Sequence, residues 1–199
     1  PALITNIWQS VVPNSPFLLI KKFHLLFLSN FCAIFIGIFL FQFFSVWLVE
    51  LFLGLALLLY SIQAGIGKIW MAKMSTHSPM VPMGVGVSNG IIAGLTGCFV
   101  FPGLAYLKSL GLDRGVLVQC LGILFTSSSL ALLFGLFLSE RYPIYQGILS
   151  VLGVPASLAG MYIGAKIRDR ISQSCFEVLA LLGVGIMGIV IILAARSHW

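Results

Sequence analysis

Residues 84–110 read GVGVSNGIIAGLTGCFVFPGLAYLKSL, and the fold turns on how this stretch is read. It is apolar enough for a bilayer, yet it cannot form one regular helix. Gly84, Gly86, Gly90, Gly94 and Gly97 punctuate its first half, and Pro102–Gly103 interrupts the second. Proline inside a helix removes a backbone hydrogen bond and clashes with the preceding turn. At the first turn of a new helix it does neither harm. The pattern therefore predicts two half-helices, over residues 84–96 and 102–109, with an irregular link at 97–101. Non-helical backbone at membrane depth survives only where protein buries it or a watery cavity solvates it. In transporters, such broken segments commonly build the binding site. A kinked helix whose glycines merely let neighbours pack closely is the competing reading.

The surrounding sequence is a membrane sequence. Of 199 residues, 60% are hydrophobic and 8% charged, too few charges to cover a soluble surface. Apolar runs of bilayer-spanning length recur at residues 23–43 (span A), 46–64 (B), 115–138 (D), 144–165 (E) and 176–195 (F). The fold class expected is an all-α polytopic membrane protein with five full spans and one broken segment. The net charge of +6 sits in short clusters beside the apolar runs, as topology signals do, and does not point to nucleic acid. Cys32, Cys98, Cys120 and Cys175 have no close pairing and suggest neither a disulfide framework nor a metal. The sequence opens on Pro1, and residues 1–12 read as the tail of a helix whose start lies further upstream.

Charge decides whether the broken segment crosses or turns back. If it crosses, Lys108, Arg114, Lys166, Arg168 and Arg170 oppose Lys21, Lys22, Lys68, Lys73, Arg141 and Arg196, which is no bias. If it re-enters, only Arg141 and Arg196 oppose the other nine basic residues. Cytoplasmic loops carry the excess of lysine and arginine, so the re-entrant path is favoured, with Lys68 and Lys73 inside.

A weak internal repeat agrees. Ile36–Gly37, Ser45 and Glu50 recur as Ile163–Gly164, Ser172 and Glu177, all at an offset of 127. Spans A and B then correspond to E and F in the opposite orientation, as in inverted-repeat transporters. The segments between the matches differ accordingly: IFLFQFF is uncharged and AKIRDRI is basic. Residues 1–82 are read as the end of a first repeat, and 83–199 as a second.

Candidate chemistry gathers at the break. Read as the start of a half-helix at mid-membrane, Pro102 spends no donor, and the N–H groups of Gly103, Leu104 and Ala105 are left unpaired, an anion-binding arrangement that needs no charged side chain. Thr96 and Gly97 could complete it. On span D, Gln119 and Thr126 lie seven residues apart on one face, with Ser127 adjacent to Thr126. Ser128 and Ser129 read as structural, their hydroxyls bonded to their own helix or a neighbour. Neutral donors cost far less to bury than lysine. Glu50 and Glu177 each sit in a first helical turn, stabilised by its dipole. No acidic, basic or histidine residue lies deep in a span, which argues against a proton relay, a metal site or an intramembrane enzyme.

At these residues the chain resembles the sulfite exporter TauE/SafE family, from PALITNIWQS through the block GLTGCFVFPGLAYLKSLGLDRGVLVQCLGILFTSSSLAL to PASLAGMYIGAKIRDRIS. The middle block is the most specific, with YL-x-x-LGL followed by VQ-x-LG-x-x-FT-x-S. The chain has Gly94-Leu95-Thr96-Gly97 where the commoner family form has a glycine triplet. The resemblance implies two repeats and a multi-pass bacterial inner-membrane transporter that exports sulfite, sulfonates or related small anions without a cofactor. Its partners would be the anionic substrate and the lipid bilayer. A non-transporting membrane scaffold, a truncated paralogue, is the alternative. Oligomeric state is not legible.

Overall fold

The computed structural model of the chain describes residues 2–11, 16–65, 78–138, 153, 155, 159–160, 162–164, 166 and 172–195. Among these, every regular element is a helix. They are α1 (Ala2–Val11), α2 (Pro16–Lys22), α3 (His24–Phe41), α4 (Val46–Gly65), α5 (Met80–Thr96), α6 (Gly103–Ser109), α7 (Arg114–Leu138) and α8 (Gln173–Ala195). Spans A, B, D and F thus correspond to α3, α4, α7 and α8. Span E, the basic turn before α8 and the loop carrying Lys68, Lys73 and His77 lie outside the described residues, apart from isolated positions of E and Lys166 of the turn. By length and composition α3 and residues 115–138 of α7 are able to cross a membrane, and shorter apolar helices occupy 46–62, 80–96 and 181–195.

The break falls where proline and glycine put it, but the first half-helix is longer than expected. It begins at Met80, because Pro82 sits in the first turn, where a missing N–H costs nothing. It ends at Thr96, where Gly97 adopts the left-handed conformation (φ 73°) and its N–H bonds Ala93 O at 2.8 Å. This is a common glycine helix stop.

Helices α3, α5 and α7 run parallel. A Cβ on Gly86 would collide with Leu26 and Ser29, one on Gly90 with Asn30 and Ala33, and one on Gly94 with Ile34 and Gly37. Each step of four residues on α5 thus matches a step of about four on α3, and the two backbones touch through a small-residue seam. On α7, Ser128 bonds Asn30, and Gly135 lies against Ile38, so the register advances in the same sense. The short α6 runs the other way. Gly103 meets Asn89 and Leu124, whereas Tyr106 and Leu107 join Leu19, Phe23, Val85 and Cys120 in one buried cluster. The chain therefore enters α5 at the Lys22 end of the bundle, reverses at residues 97–102, and returns towards the Lys22 end at Lys108.

Two apolar clusters result. The first, at the Lys22 end, holds Leu26, Phe27, Val85, Leu107 and Leu124; the second, beyond the midpoint, is built on Ile34, Ala93 and Ala131. Apart from this bundle, α4 pairs with α8. Gly54 lies against Gly188 and Ile192, and Ser61 against Gly185. The Ser61 hydroxyl donates to Leu181 O at 2.8 Å. Ascending positions on α4 meet descending positions on α8, so this pair is antiparallel.

Candidate functional site

Between the two apolar clusters lies a layer of fully buried polar side chains. Asn30, Asn89 and Ser128 each expose 0% of their surface. They occupy equivalent depths on α3, α5 and α7, one turn from Phe27, Val85 and Leu124 on one side and from Ile34, Ala93 and Ala131 on the other. Burying an amide in an apolar bundle is costly unless its groups are hydrogen-bonded. Here they are. Asn30 Nδ2 donates to Ser128 Oγ at 2.8 Å, and the Ser128 hydroxyl donates to Leu124 O at 2.8 Å. Asn89 Nδ2 donates to Asn30 Oδ1 at 2.8 Å and to Phe99 O at 3.3 Å. Asn89 Oδ1 in turn accepts the Gly103 N–H at 2.9 Å. One side chain of α5 thereby holds both flanks of the link that follows it.

The link itself is well tied. The Thr96 hydroxyl donates to Ile92 O at 2.7 Å and accepts the Cys98 N–H at 3.1 Å. The Phe101–Pro102 peptide is cis. Leu104 N–H bonds Val100 O at 2.9 Å, and Tyr106 N–H bonds Pro102 O at 3.1 Å. The Gly103 and Leu104 amides, expected to be unpaired donors, are therefore both engaged within the protein. The Phe99 ring packs at a tilt against Phe125 of α7 (centroids 5.0 Å apart), while Phe101 meets Tyr60 of α4 (6.2 Å).

Beside the link, a cavity of about 460 Å³ opens between α4 and α5. Its walls include Phe52, Leu59, Ile92, Leu95 and Phe101, and Thr96 is the single polar residue among those lining it.

A family model for the sulfite exporter TauE/SafE matches residues 2–191. The chain belongs to this family. No curated protein and no solved structure matches it. For a TauE/SafE chain the assignment carries two coarse conclusions: an all-helical membrane protein, and a family of transporters rather than enzymes.

The site residues expected from the sequence divide into two groups. Thr96, Gly97, Pro102, Gly103 and Leu104 stay together around the link. Gln119 and Thr126 do not join them. Gln119 is fully buried and donates to Ser10 O of α1 at 2.9 Å, and a Cβ on Gly122 would strike Ser10 and Gln9. Ser128 is nine residues beyond Gln119, hence about 180° round the helix, and Thr126 stands about 200° from Ser128. It is the Ser128 face of α7 that meets the start of α6. The Ser127 hydroxyl bonds back to Leu124 O at 2.8 Å. Thr126 Oγ1 is buried with no hydrogen-bond partner among the described residues.

Asn30 and Asn89 carry no charge, and the sequence reading singles out neither. The signal was present: a carboxamide in the middle of an apolar run is itself expensive in a bilayer and calls for a partner. Two such asparagines, one beside the glycine seam, were available to pair.

Proposed function

We propose that the chain acts in a bacterial inner-membrane exporter of a small anion, sulfite or a sulfonate, through an inverted-repeat body. Five full spans surround the re-entrant α5–α6 segment. The link at Thr96, Gly97, Pro102, Gly103 and Leu104 handles the substrate, while Gln119 and Thr126 serve the seam with α1. The observation that carries this reading is the reversal of the broken segment at a buried polar layer, midway between two apolar clusters. A plain spanning helix needs neither the reversal nor the layer, whereas broken helices with polar backbone at mid-depth are how transporters handle ions and polar solutes.

Three further features support it. Lys22 and Lys108 stand at the same end of the bundle, in keeping with the charge bias of the sequence. Helices α4 and α8, the corresponding spans of the two proposed repeat copies, pair antiparallel through Gly54 with Gly188 and Ser61 with Gly185, in keeping with an inverted relation. The match to the TauE/SafE family supports a substrate of sulfite or sulfonate type.

One observation favours the alternative of a non-transporting scaffold: the Gly103 and Leu104 amides are already bonded. Anion flux through the full-length protein in proteoliposomes separates the two readings.

A further inference from the structure

We infer that Asn89 is a positioning residue that clips the α5–α6 link closed. Its carboxamide reaches both flanks of the five-residue stretch 99–103. Nδ2 donates to Phe99 O at 3.3 Å and Oδ1 accepts Gly103 N–H at 2.9 Å. The remaining Nδ2 hydrogen goes to Asn30 Oδ1 at 2.8 Å. Each capacity of the side chain that matters here has a use: two donors, two partners, and one acceptor for the first amide of α6. The Asn30 carboxamide is held in turn by Ser128 at 2.8 Å, so the clip is referred through α3, on which α5 packs, to α7.

This is more than helix glue. Helix glue needs the bond from Asn89 to Asn30 alone, and the Gly86, Gly90 and Gly94 seam already supplies the close approach of α3 and α5. The two bonds to Phe99 and Gly103 add nothing to that seam. They fix the link, whose other face is turned to Phe125 and Tyr60 through Phe99 and Phe101. A Cβ at Gly103 would stand 3.0 Å from Asn89 Oδ1 and closer still to Leu124 Cδ2, so a larger residue there displaces one of these side chains. Side chain and glycine fit as a pair. Asn89 sets where the link lies relative to the cavity that Thr96 and Phe101 line.

The chain carries its own reporter. Cys98 is in the link, half-buried, next to Phe99. With Cys32 and Cys175 replaced by serine and Cys120 left buried, maleimide modification of Cys98 reads how firmly the link is held. Asn89→Leu keeps the branched shape, at a somewhat larger volume, and suits an apolar bundle, but removes all three bonds. We expect Cys98 to react about tenfold faster or more, the effect of freeing two net hydrogen bonds at the link. Asn89→Asp, neutral when buried, keeps the acceptor for Gly103 and one donor, and should fall between. Asn30→Leu breaks only the α3 tie and should raise the rate less than Asn89→Leu.

A second readout rests on the transport reading and fails separately from the first. In proteoliposomes with sulfite, Asn89→Leu should raise the apparent KM more than it lowers the maximal rate. Asn89→Leu protein that elutes as a folded species yet labels Cys98 at the unsubstituted rate overturns the inference. So does Asn30→Leu matching or exceeding it, which reduces Asn89 to a strut between α3 and α5. Faster labelling with no sulfite flux in any variant keeps the clip and removes the anion reading.

Discussion

Gly37 of α3 and Gly94 of α5 meet backbone to backbone: a methyl group on Gly37 would stand 2.8 Å from Gly94 Cα. No side chain intervenes, so the two helices approach at the limit set by their main chains. Three observations on α5, at Gly86, Gly90 and Gly94, repeat this contact at every fourth residue. The depth at which Asn89 finds Asn30 depends on it.

From that contact follows a stability series. Gly94→Ala forces α3 and α5 apart and should cost about 1–3 kcal/mol, the usual penalty for overpacking a tight interface. Gly84→Ala, on the same helix with nothing within 4 Å of the added carbon, should be neutral or slightly stabilising through its helix propensity. Thermal unfolding in detergent gives the comparison. Equal effects at both positions would mean the seam does not form.

The polar layer predicts opposite outcomes for two neighbouring hydroxyls on α7. Ser128→Ala leaves the buried Asn30 amide short of its acceptor and should destabilise by about 1–3 kcal/mol. Thr126→Val removes a buried hydroxyl that has no partner among the described residues, so it should be neutral or stabilising. The sequence alone assigns the working role to Thr126 and a structural one to Ser128. Flux measured on the same two variants tests whether either face of α7 meets the substrate.

Pro102, Gly97 and the glycine spacing located the break, because backbone chemistry at proline and glycine is local. The ends of α3, α4 and α7 followed from apolar runs for the same reason. The face of α7 did not. Helical periodicity says that Gln119 and Thr126 share a side, but not which neighbour lies there, and α1 and α6 competed for it. The Asn30–Asn89 pair was hidden for a related reason, since partners 59 residues apart meet only through tertiary packing.

Single-cysteine accessibility tests the path of the broken segment. Cysteines replacing Lys22 and Lys108 should label from the same side of the membrane, and one replacing Gln42, just beyond the far end of α3, from the other. Cysteine at Lys68 should behave like the first two. Labelling of positions 22 and 108 from opposite sides would mean that residues 84–110 cross.

Paired cysteines test the inverted arrangement. Ser61→Cys with Gly185→Cys, and Gly54→Cys with Ile192→Cys, should each form an intramolecular crosslink, because α4 and α8 are antiparallel. The swapped pairs, 54 with 185 and 61 with 192, should not. Crosslinking confined to the swapped pairs would make the helices parallel and remove the pseudo-two-fold relation.

The most direct measurement is counterflow in proteoliposomes containing the full-length protein, loaded with unlabelled sulfite and diluted into radiolabelled sulfite. If the chain serves a small-anion exporter, label accumulates transiently, saturates with concentration, and is suppressed by a competing sulfonate. Gly103→Leu, which a Cβ clash with Leu124 and Asn89 makes incompatible with the closed link, abolishes it. Folded protein that gives no accumulation above empty vesicles, for sulfite or for any sulfonate offered, contradicts the transport reading and leaves a membrane scaffold.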